Sequence, residues 1–116
     1  IIKIMTSRKG EKDIQIKPGL GALSTLEAQN RIGEKILVAG MRQTMRRLRT
    51  RSGQMMAYLN LEDFDGSLQV VIPPKLYSKR YQVLLTTGPF LVEGVMEKDS
   101  ERGHVRISAS DITSLI

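Results

Sequence analysis

Four arginines lie within six consecutive positions of the chain, at Arg46, Arg47, Arg49 and Arg51. The planar guanidinium group matches two phosphate oxygens at once and stacks on flat rings, two properties that the lysine ammonium group lacks. A Ser-Gly pair and Gln54 follow the arginines, and the chain then alternates apolar and polar side chains. This pattern predicts a basic surface for a polyanion or for an acidic protein, and nucleic acid is the commonest polyanion.

The positive charge is unevenly distributed along the sequence. The formal net charge is +6, but residues 1–58 carry 12 Lys and Arg against 4 Asp and Glu, whereas residues 59–116 carry 6 against 8. The alternative interpretation is a charged surface that only keeps the protein in solution. The choice of arginine over lysine at positions 46–51 favours a polyanionic partner.

Few residues are available for catalysis. The chain has one histidine, His104, no cysteine, and none of the metalloprotease, serine-hydrolase or phosphate-loop motifs. Glu62, Asp63 and Asp65 are close enough in sequence to bind Mg²⁺, but they surround an Asp-Gly turn in which aspartates bond to their own backbone. We therefore predict no catalytic residue, no metal site and no cofactor.

Length and composition set further bounds. The 116 residues suit one small domain, and the start at Ile1 suggests a fragment of a longer protein. The absence of cysteine excludes disulfides and is compatible with a cytoplasmic location. No apolar segment approaches the roughly 20 residues that a membrane helix needs, so no membrane partner is expected.

Residues 1–33 are predicted to form an N-terminal extension. Two apolar segments flank residues 6–12, which suit either a short hairpin or a flexible arm. The Pro-Gly-Leu-Gly sequence at 18–21 is the best candidate for a linker. Ser24 and Glu27 have the spacing of a capping box, which predicts a short helix that runs to about Arg31.

From Glu34 onward the pattern is that of strands. Ala57, Leu59 and Leu61 alternate with polar neighbours, which predicts a half-buried strand. An Asp-Gly turn joins it to the next strand, and a Pro-Pro pair ends that strand. We predict strands at 35–45, 56–63, 67–72, 90–99 and 104–112, and a helix at 75–85 that packs through Leu76, Tyr77, Tyr81, Leu84 and Leu85.

This order of elements is that of an OB-fold, an all-β, five-stranded Greek-key barrel with a short helix between its third and fourth strands. Gly40 and Gly94 fall inside the first and fourth strands, where such a barrel must bend tightly. An SH3-like barrel and an open β-sandwich are the alternatives. We expect the barrel domain to occupy residues 34–116.

In an OB-fold, two loops flank the exposed face of the second and third strands, and single-stranded nucleic acid lies between them. Here those loops are expected at 46–54 and 97–103. The arginines would contact phosphates, and Tyr58 could stack on a base, an interaction worth roughly 1–3 kcal/mol. Only 4% of the residues are aromatic, so the phosphate contacts are better supported than the base contacts. The predicted nucleic-acid-binding residues are Arg46, Arg47, Arg49, Arg51, Gln54, Met56, Tyr58, Asn60, Gln69, Arg102, His104 and Arg106.

Five short elements in a fixed order carry a family resemblance. They are V-A-G at 38–40, S-G-Q at 52–54, L-E-D at 61–63, the turn at Gly66, and L-V-E-G at 91–94. In this order they resemble the OB-fold domain near the C-terminus of the bacterial DNA polymerase III alpha subunit, replicative or error-prone. The Pro73-Pro74 pair departs from the single proline that is more usual there.

The resemblance implies a function for the chain. It implies a noncatalytic module that binds single-stranded DNA, positions the template strand during replication, and meets other replisome subunits in the cytoplasm. The parent protein would be a DNA-directed DNA polymerase, that is, a nucleotidyltransferase. Anticodon-binding OB domains of class II aminoacyl-tRNA synthetases look similar, so tRNA binding and a protein-interaction module are the alternatives.

Overall fold

The computed structural model describes residues 2–6, 12–16 and 22–115. Two helices and eight strands occur in this part of the chain, and the longer helix has 11 residues. None of the described helices is long and apolar enough to cross a membrane. In chain order the elements are β1 (Ile2–Thr6), β2 (Lys12–Ile16), β3 (Ala22–Leu23), α1 (Thr25–Ala28), β4 (Lys35–Arg49), β5 (Met55–Glu62), β6 (Ser67–Ile72), α2 (Pro74–Leu84), β7 (Phe90–Lys98) and β8 (Val105–Ser114).

Five of the strands close into a barrel. β4 runs antiparallel to β5 and β5 antiparallel to β6, while β6 pairs in parallel with β8. β8 pairs antiparallel with β7, which returns to β4 and completes the circle. With α2 between the third and fourth barrel strands, this is the predicted OB-fold, and the two alternative folds are wrong.

Two glycines make the closure possible. β4 pairs with β7 as far as Gly40 and with β5 from Met41 onward, so the strand changes partner at this glycine. A Cβ atom on Gly40 would lie 2.7 Å from the carbonyl oxygen of Glu62. Gly94 lies at a shift of register between β7 and β8, and a Cβ atom there would overlap the carbonyl oxygen of Ser108. The prediction that the barrel bends at these two positions is confirmed.

The core is formed by the apolar side chains of strands in which apolar and polar residues alternate. Ala57, Leu59 and Leu61 of β5 are fully buried, as predicted from their spacing. Leu68, Val70 and Ile72 of β6 are also buried, as are Ile107 and Ala109 of β8. Burial of this continuous apolar interior is the main contribution to the stability of the barrel.

One part of the helix prediction is wrong. Leu76 and Leu84 of α2 are buried, but Tyr81 is 49% exposed and Leu85 is 60% exposed. The backbone leaves helical geometry at Arg80, where φ is −123° and ψ is 17°. The turn after this kink directs Leu84 to the core and leaves Tyr81 and Leu85 toward solvent.

The N-terminal elements lie against the barrel. β3 pairs in parallel with β4, and the predicted capping box of α1 is present, since Glu27 N–H donates to Ser24 Oγ over 3.1 Å. The helix ends at Ala28 rather than near residue 31, because the chain turns to pair with β7, where Gly33 N–H donates to the Met96 carbonyl over 2.7 Å. The domain boundary between residues 33 and 34 stays a prediction.

The first two strands pair with each other in antiparallel fashion, as the hairpin predicted around residues 6–12 requires. Residues 7–11, which would form its turn, lie outside the described residues. The linker predicted at 18–21 also lies outside them.

Candidate nucleic-acid interface

The arginine-rich segment is a strand rather than a loop. β4 continues to Arg49, which pairs with Met55 of β5, so Arg46, Arg47 and Arg49 all lie on the strand. The predicted loop at 46–54 is therefore wrong in its extent, because a tight turn closes this β4–β5 ribbon at residues 50–54. Thr50 N–H donates to the Gln54 carbonyl over 2.7 Å, and Gly53 adopts a φ of +86° that favours glycine.

The strand distributes its arginines over two faces. Arg46 pairs with Tyr58, whose side chain points outward from the barrel, whereas Arg47 and Arg49 pair with Ala57 and Met55. Paired residues share a face and successive residues alternate, so Arg47 and Arg49 lie on the face opposite Arg46 and Tyr58. The sequence-based expectation that all four arginines line one surface is wrong, because it treated a strand with period two as a loop.

The outward face of β4, β5, β6 and β8, which we call the outer face, has two rows of aligned side chains. The first row crosses the sheet as Arg46, Tyr58, Val71 and Ser108. The second row runs beside it as Thr44, Asn60, Gln69 and Arg106. Most side chains in both rows are polar or charged, and most are half-buried.

The first row contains a stacked pair. The guanidinium carbon of Arg46 lies 5.4 Å from the centroid of the Tyr58 ring, which is the geometry of a cation–π contact. A cleft of about 280 Å³ opens beside this pair. It is lined by Thr44, Met45, Arg46, Tyr58, Asn60 and Gln69.

Amide and hydroxyl groups line part of this cleft. Asn60 Nδ2 donates to Thr44 Oγ1 over 3.1 Å, which fixes the orientation of the Asn60 amide. No other hydrogen bond of the Asn60 amide, and none of the Gln69 amide, is made to a residue in 2–6, 12–16 or 22–115, so these groups can meet a ligand in the cleft. Met56 lies two residues before Tyr58 on β5 and therefore on the same face, where it is half-buried.

The second flanking loop joins β7 and β8. β7 extends to Lys98, so the loop covers residues 99–104 rather than the predicted 97–103. Arg102 and His104 are exposed in it. Backbone N–H groups of Glu101 and Arg102 donate to Asp99 and hold the pKa of this carboxyl below its ordinary value.

The basic residues of the site differ in whether they form an ion pair with a carboxylate. Arg106 Nε lies 2.8 Å from Glu97 Oε1, so its charge is partly neutralised within the protein. Arg46, Arg47, Arg49 and Arg51 form no ion pair with any residue in 2–6, 12–16 or 22–115. Arg49 does donate to the Gly53 carbonyl over 2.9 Å, but most of its donors stay available. The charge of these four arginines is therefore not compensated by a carboxylate among the described residues.

The acidic cluster has a structural role. Asp63 accepts from the N–H groups of Asp65 and Gly66 and from both the N–H and the hydroxyl of Thr25. The predicted Asp-Gly turn is confirmed, and it also anchors the start of α1. Among the residues that the structure describes, no group of three acidic or histidine side chains is arranged to hold a metal.

Two polar residues of the outer face were not among the predicted binding residues. Thr44 lies on the outer face because a bulge at Gln43, between the pairs Arg42–Leu61 and Thr44–Asn60, shifts the alternation of β4. Ser108 lies there because β8 pairs in parallel with β6. The outward alternation of β8 was a sufficient signal for Ser108, but no local signal marks the bulge.

A closed five-stranded barrel with a basic ribbon and a polar cleft across its second and third strands defines a class, the OB-fold domains that bind nucleic acid. Residues 36–115 match the family model described as OB-fold nucleic acid binding domain, and the chain belongs to this family. The fold class and the family inferred from sequence are thereby confirmed.

Curated relatives include two bacterial polymerases. The chain is 34% identical over 88 residues, 75% of its length, to an error-prone DNA polymerase of Symbiobacterium thermophilum. It is 31% identical over 92 residues, 79% of its length, to the DNA polymerase III subunit alpha of Bacillus subtilis. In each case the match spans 8% of the relative's own length. The predicted resemblance to the bacterial DNA polymerase III alpha subunit and its error-prone relatives is confirmed.

Solved structures share the fold at lower identity. Asparaginyl-tRNA synthetase from Pyrococcus horikoshii superposes with a TM-score of 0.64 at 18% identity, over 83% of this chain and 23% of that one. The same enzyme complexed with asparaginyl-adenylate gives a TM-score of 0.62. These similarities establish the barrel architecture.

Proposed function

We propose that the chain is a noncatalytic module that binds single-stranded DNA on its outer face and positions a template strand beside a DNA polymerase. The observation that carries the proposal is the stacked Arg46–Tyr58 pair beside the polar cleft of Asn60 and Gln69. A flat cationic layer on an aromatic ring accepts an unpaired base, and the amides below it can meet base edges.

The charge distribution supports a polyanionic ligand. Arg46 and the turn residue Arg51 have no carboxylate partner among the described residues, so their charge is available to phosphates. Contacts of this kind contribute affinity that is independent of sequence and that falls as salt rises. Arg106, which is paired with Glu97, is expected to contribute less.

The names of the relatives support DNA as the polymer. Both curated relatives are named as DNA polymerases, one error-prone and one a subunit alpha. A module of such a protein would act in the cytoplasm during replication, and other replisome subunits would be its further partners. The match covers only 8% of either relative, so the polymerase activity itself is proposed for a parent protein and not for this domain.

Equilibrium binding of a fluorescent, mixed-sequence single strand tests this proposal. The affinity of the unmodified chain should fall as salt is raised. Each phosphate contact contributes about 0.7 to the slope of log K against log salt on single strands, so Arg46→Gln should reduce the slope by about this amount. Lys75→Gln is the matched control, because Lys75 is an exposed cation of α2, an element that is not part of the outer face.

Binding that is insensitive to salt, or an equal effect of Lys75→Gln and Arg46→Gln, would overturn the phosphate contacts. Binding of DNA and RNA strands of one sequence should be compared in the same assay. A strong preference for RNA would indicate contacts to 2′-hydroxyls and would favour the tRNA-binding alternative. Absence of binding to either polymer would favour an acidic protein partner.

A further inference from the structure

The last turn of α2 exposes two large apolar side chains, which we call the α2 pair. Tyr81 is 49% exposed and Leu85 is 60% exposed, and neither is part of the hydrophobic core. Both follow the kink at Arg80 and are four positions apart, a separation that brings side chains together on one side of a helical turn. Single exposed apolar residues are common on protein surfaces, whereas neighbouring ones mark contact surfaces.

The turn that carries the α2 pair is fixed to the barrel on two sides. At the kink, Arg80 Nε donates to Asp111 Oδ1 of β8 over 2.9 Å. At the end of the helix, Arg42 Nη1 of β4 donates to the Leu84 carbonyl over 3.0 Å. The pair is therefore presented by a preformed element, and a partner that binds it need not order a flexible segment.

The surroundings of the α2 pair are positively charged. The sequence of α2 contains Lys75, Lys79 and Arg80 and no carboxylate. Lys75 and Lys79 are exposed, and neither forms an ion pair within residues 2–6, 12–16 and 22–115. The Asp111 carboxylate, which lies within ion-pair distance of this helix, is already bound by Arg80. Apolar groups near unpaired cations are complementary to a segment that carries both apolar and acidic side chains.

The chemistry of this surface differs from that of the outer face. Leu85 is aliphatic and offers no ring for base stacking. The two unpaired cations are lysines, which lack the planar fork that binds phosphate through two hydrogen bonds. An exposed tyrosine with charged groups around it instead suits a protein interface, in which an aromatic anchor becomes buried and a polar rim stays in contact with water. The occupant that fits is a protein segment rather than a second stretch of nucleic acid.

We propose that the exposed side of α2 binds an acidic segment of a partner protein, with Tyr81 and Leu85 as apolar anchors and Lys75 and Lys79 as the charged rim. This inference goes beyond the proposed function, because the exposed side of α2 shares no residue with the outer face. A partner held there leaves the cleft of the outer face open, so the domain can bind the partner and a single strand at once.

The test titrates three labelled peptides into the unmodified chain. The first is rich in glutamate and carries a phenylalanine and a leucine one helical turn apart. The second replaces these two apolar residues with alanine, and the third replaces the glutamates with lysine. The first peptide should bind most tightly and should shift the backbone amide signals of α2, while the signals of the outer face stay in place.

Variants of α2 separate the anchors from the rim. Tyr81→Ala should weaken binding of the first peptide by about fivefold or more, the loss expected for an interface anchor. Phe64→Ala is the matched control, since Phe64 is 55% exposed in the turn between β5 and β6. Lys75→Gln with Lys79→Gln should weaken binding and reduce its dependence on salt. Each variant should keep the single-strand affinity of the unmodified chain, so failure of this inference leaves the proposed function standing.

Thermal unfolding of each variant verifies that these exposed substitutions leave the barrel folded. The inference is overturned if the first peptide binds no more tightly than the other two, or if Tyr81→Ala and Phe64→Ala have equal effects. It is also overturned if single-stranded DNA shifts the α2 signals, which would assign this surface to nucleic acid. Self-association in sedimentation that Tyr81→Ala abolishes would assign the surface to a second copy of the chain, with the same consequence.

Discussion

At the scale of single residues, the contact between Arg46 and Tyr58 is central to the proposed binding of single-stranded DNA on the outer face. The guanidinium group lies 5.4 Å from the ring centroid and covers part of the aromatic surface. In the proposed function, an incoming base would meet either the guanidinium plane or the uncovered part of the ring, and both surfaces favour stacking. Arg46 acts here through its flat shape as well as through its charge.

Removal of the Tyr58 ring should weaken binding of a single strand. Stacking on an aromatic side chain contributes roughly 1–3 kcal/mol per base, so Tyr58→Ala should raise the dissociation constant by about 5- to 150-fold. Tyr58→Phe keeps the ring and should bind like the unmodified chain. Tyr81→Ala is the control, because Tyr81 is 49% exposed on α2 and does not lie on the outer face. Equal losses for Tyr58→Ala and Tyr81→Ala in a binding titration would contradict the stacking role.

Sequence reasoning predicted which residues of β5 and β6 lie on the outer face better than it predicted the arrangement of the arginines. Tyr58, Asn60 and Gln69 follow from the alternation of polar and apolar residues, which survives in any half-buried strand. The separation of Arg46 from Arg47 and Arg49 did not follow, because a run of arginines carries no apolar alternation that marks it as a strand. The pairing of Arg106 with Glu97 joins two strands, and nothing in either strand alone predicts it.

At the scale of elements, β7 and β8 depend on the absence of a side chain at Gly94. A Cβ atom there would overlap the carbonyl oxygen of Ser108 on the paired strand. Gly94→Ala should therefore force the strands apart and lower the free energy of unfolding by about 1–3 kcal/mol. Gly66→Ala is a suitable control, since its Cβ would lie 3.6 Å from Thr25 Oγ1, an ordinary contact. Denaturant unfolding of both variants measures the difference, and equal stability would contradict the tight closure.

The kink in α2 is coupled to β8 by an ion pair. Arg80 Nε lies 2.9 Å from Asp111 Oδ1, and the Asp111 carboxylate also accepts the N–H of Ile112. Burial alone would raise the pKa of Asp111, but the hydrogen bonds from Arg80 and Ile112 outweigh it and hold the pKa below the ordinary value of 3.8. A lowered pKa means that the ionised carboxylate stabilises the folded state.

This stabilisation should be present above pH 3.8 and lost as the pH falls through the folded-state value. Asp111→Asn should destabilise the protein near neutral pH by about 0.5–1 kcal/mol, the upper range for partly exposed pairs. The difference from the unmodified chain should vanish in strong acid. Thermal unfolding between pH 2 and pH 7 tests this, and a constant difference at all pH values would contradict it.

The elements themselves were largely predictable, and their ends were not. The Asp-Gly turn and the Pro-Pro pair define β5, β6 and the start of α2 through local chemistry. The end of α1 at Ala28 was missed because pairing of Gly33 and Glu34 with Met96 of β7 stops the helix. That contact joins segments more than 60 positions apart, so no local pattern reveals it.

At the scale of the whole molecule, closure of the barrel brings the two flanking loops to opposite ends of the outer face. The turn at 50–54 lies beyond the Met56 end of β5, and the loop at 99–104 precedes the β8 residues that pair with Gln69 and Val71 of β6. Only the parallel β6–β8 pairing makes this possible. The positive charge that is concentrated in the first half of the sequence thus lies partly on the β4–β5 ribbon, beside the polar outer face.

The most direct test of the central claim, that the outer face binds an unpaired strand, is to follow the backbone amides while a short single-stranded DNA is added. The amide signals of Thr44, Arg46, Tyr58, Asn60, Gln69 and Ser108 should shift in proportion to saturation, while those of α2 stay in place. Shifts confined to α2 or to α1, with the two rows of the outer face unchanged, would contradict the claim.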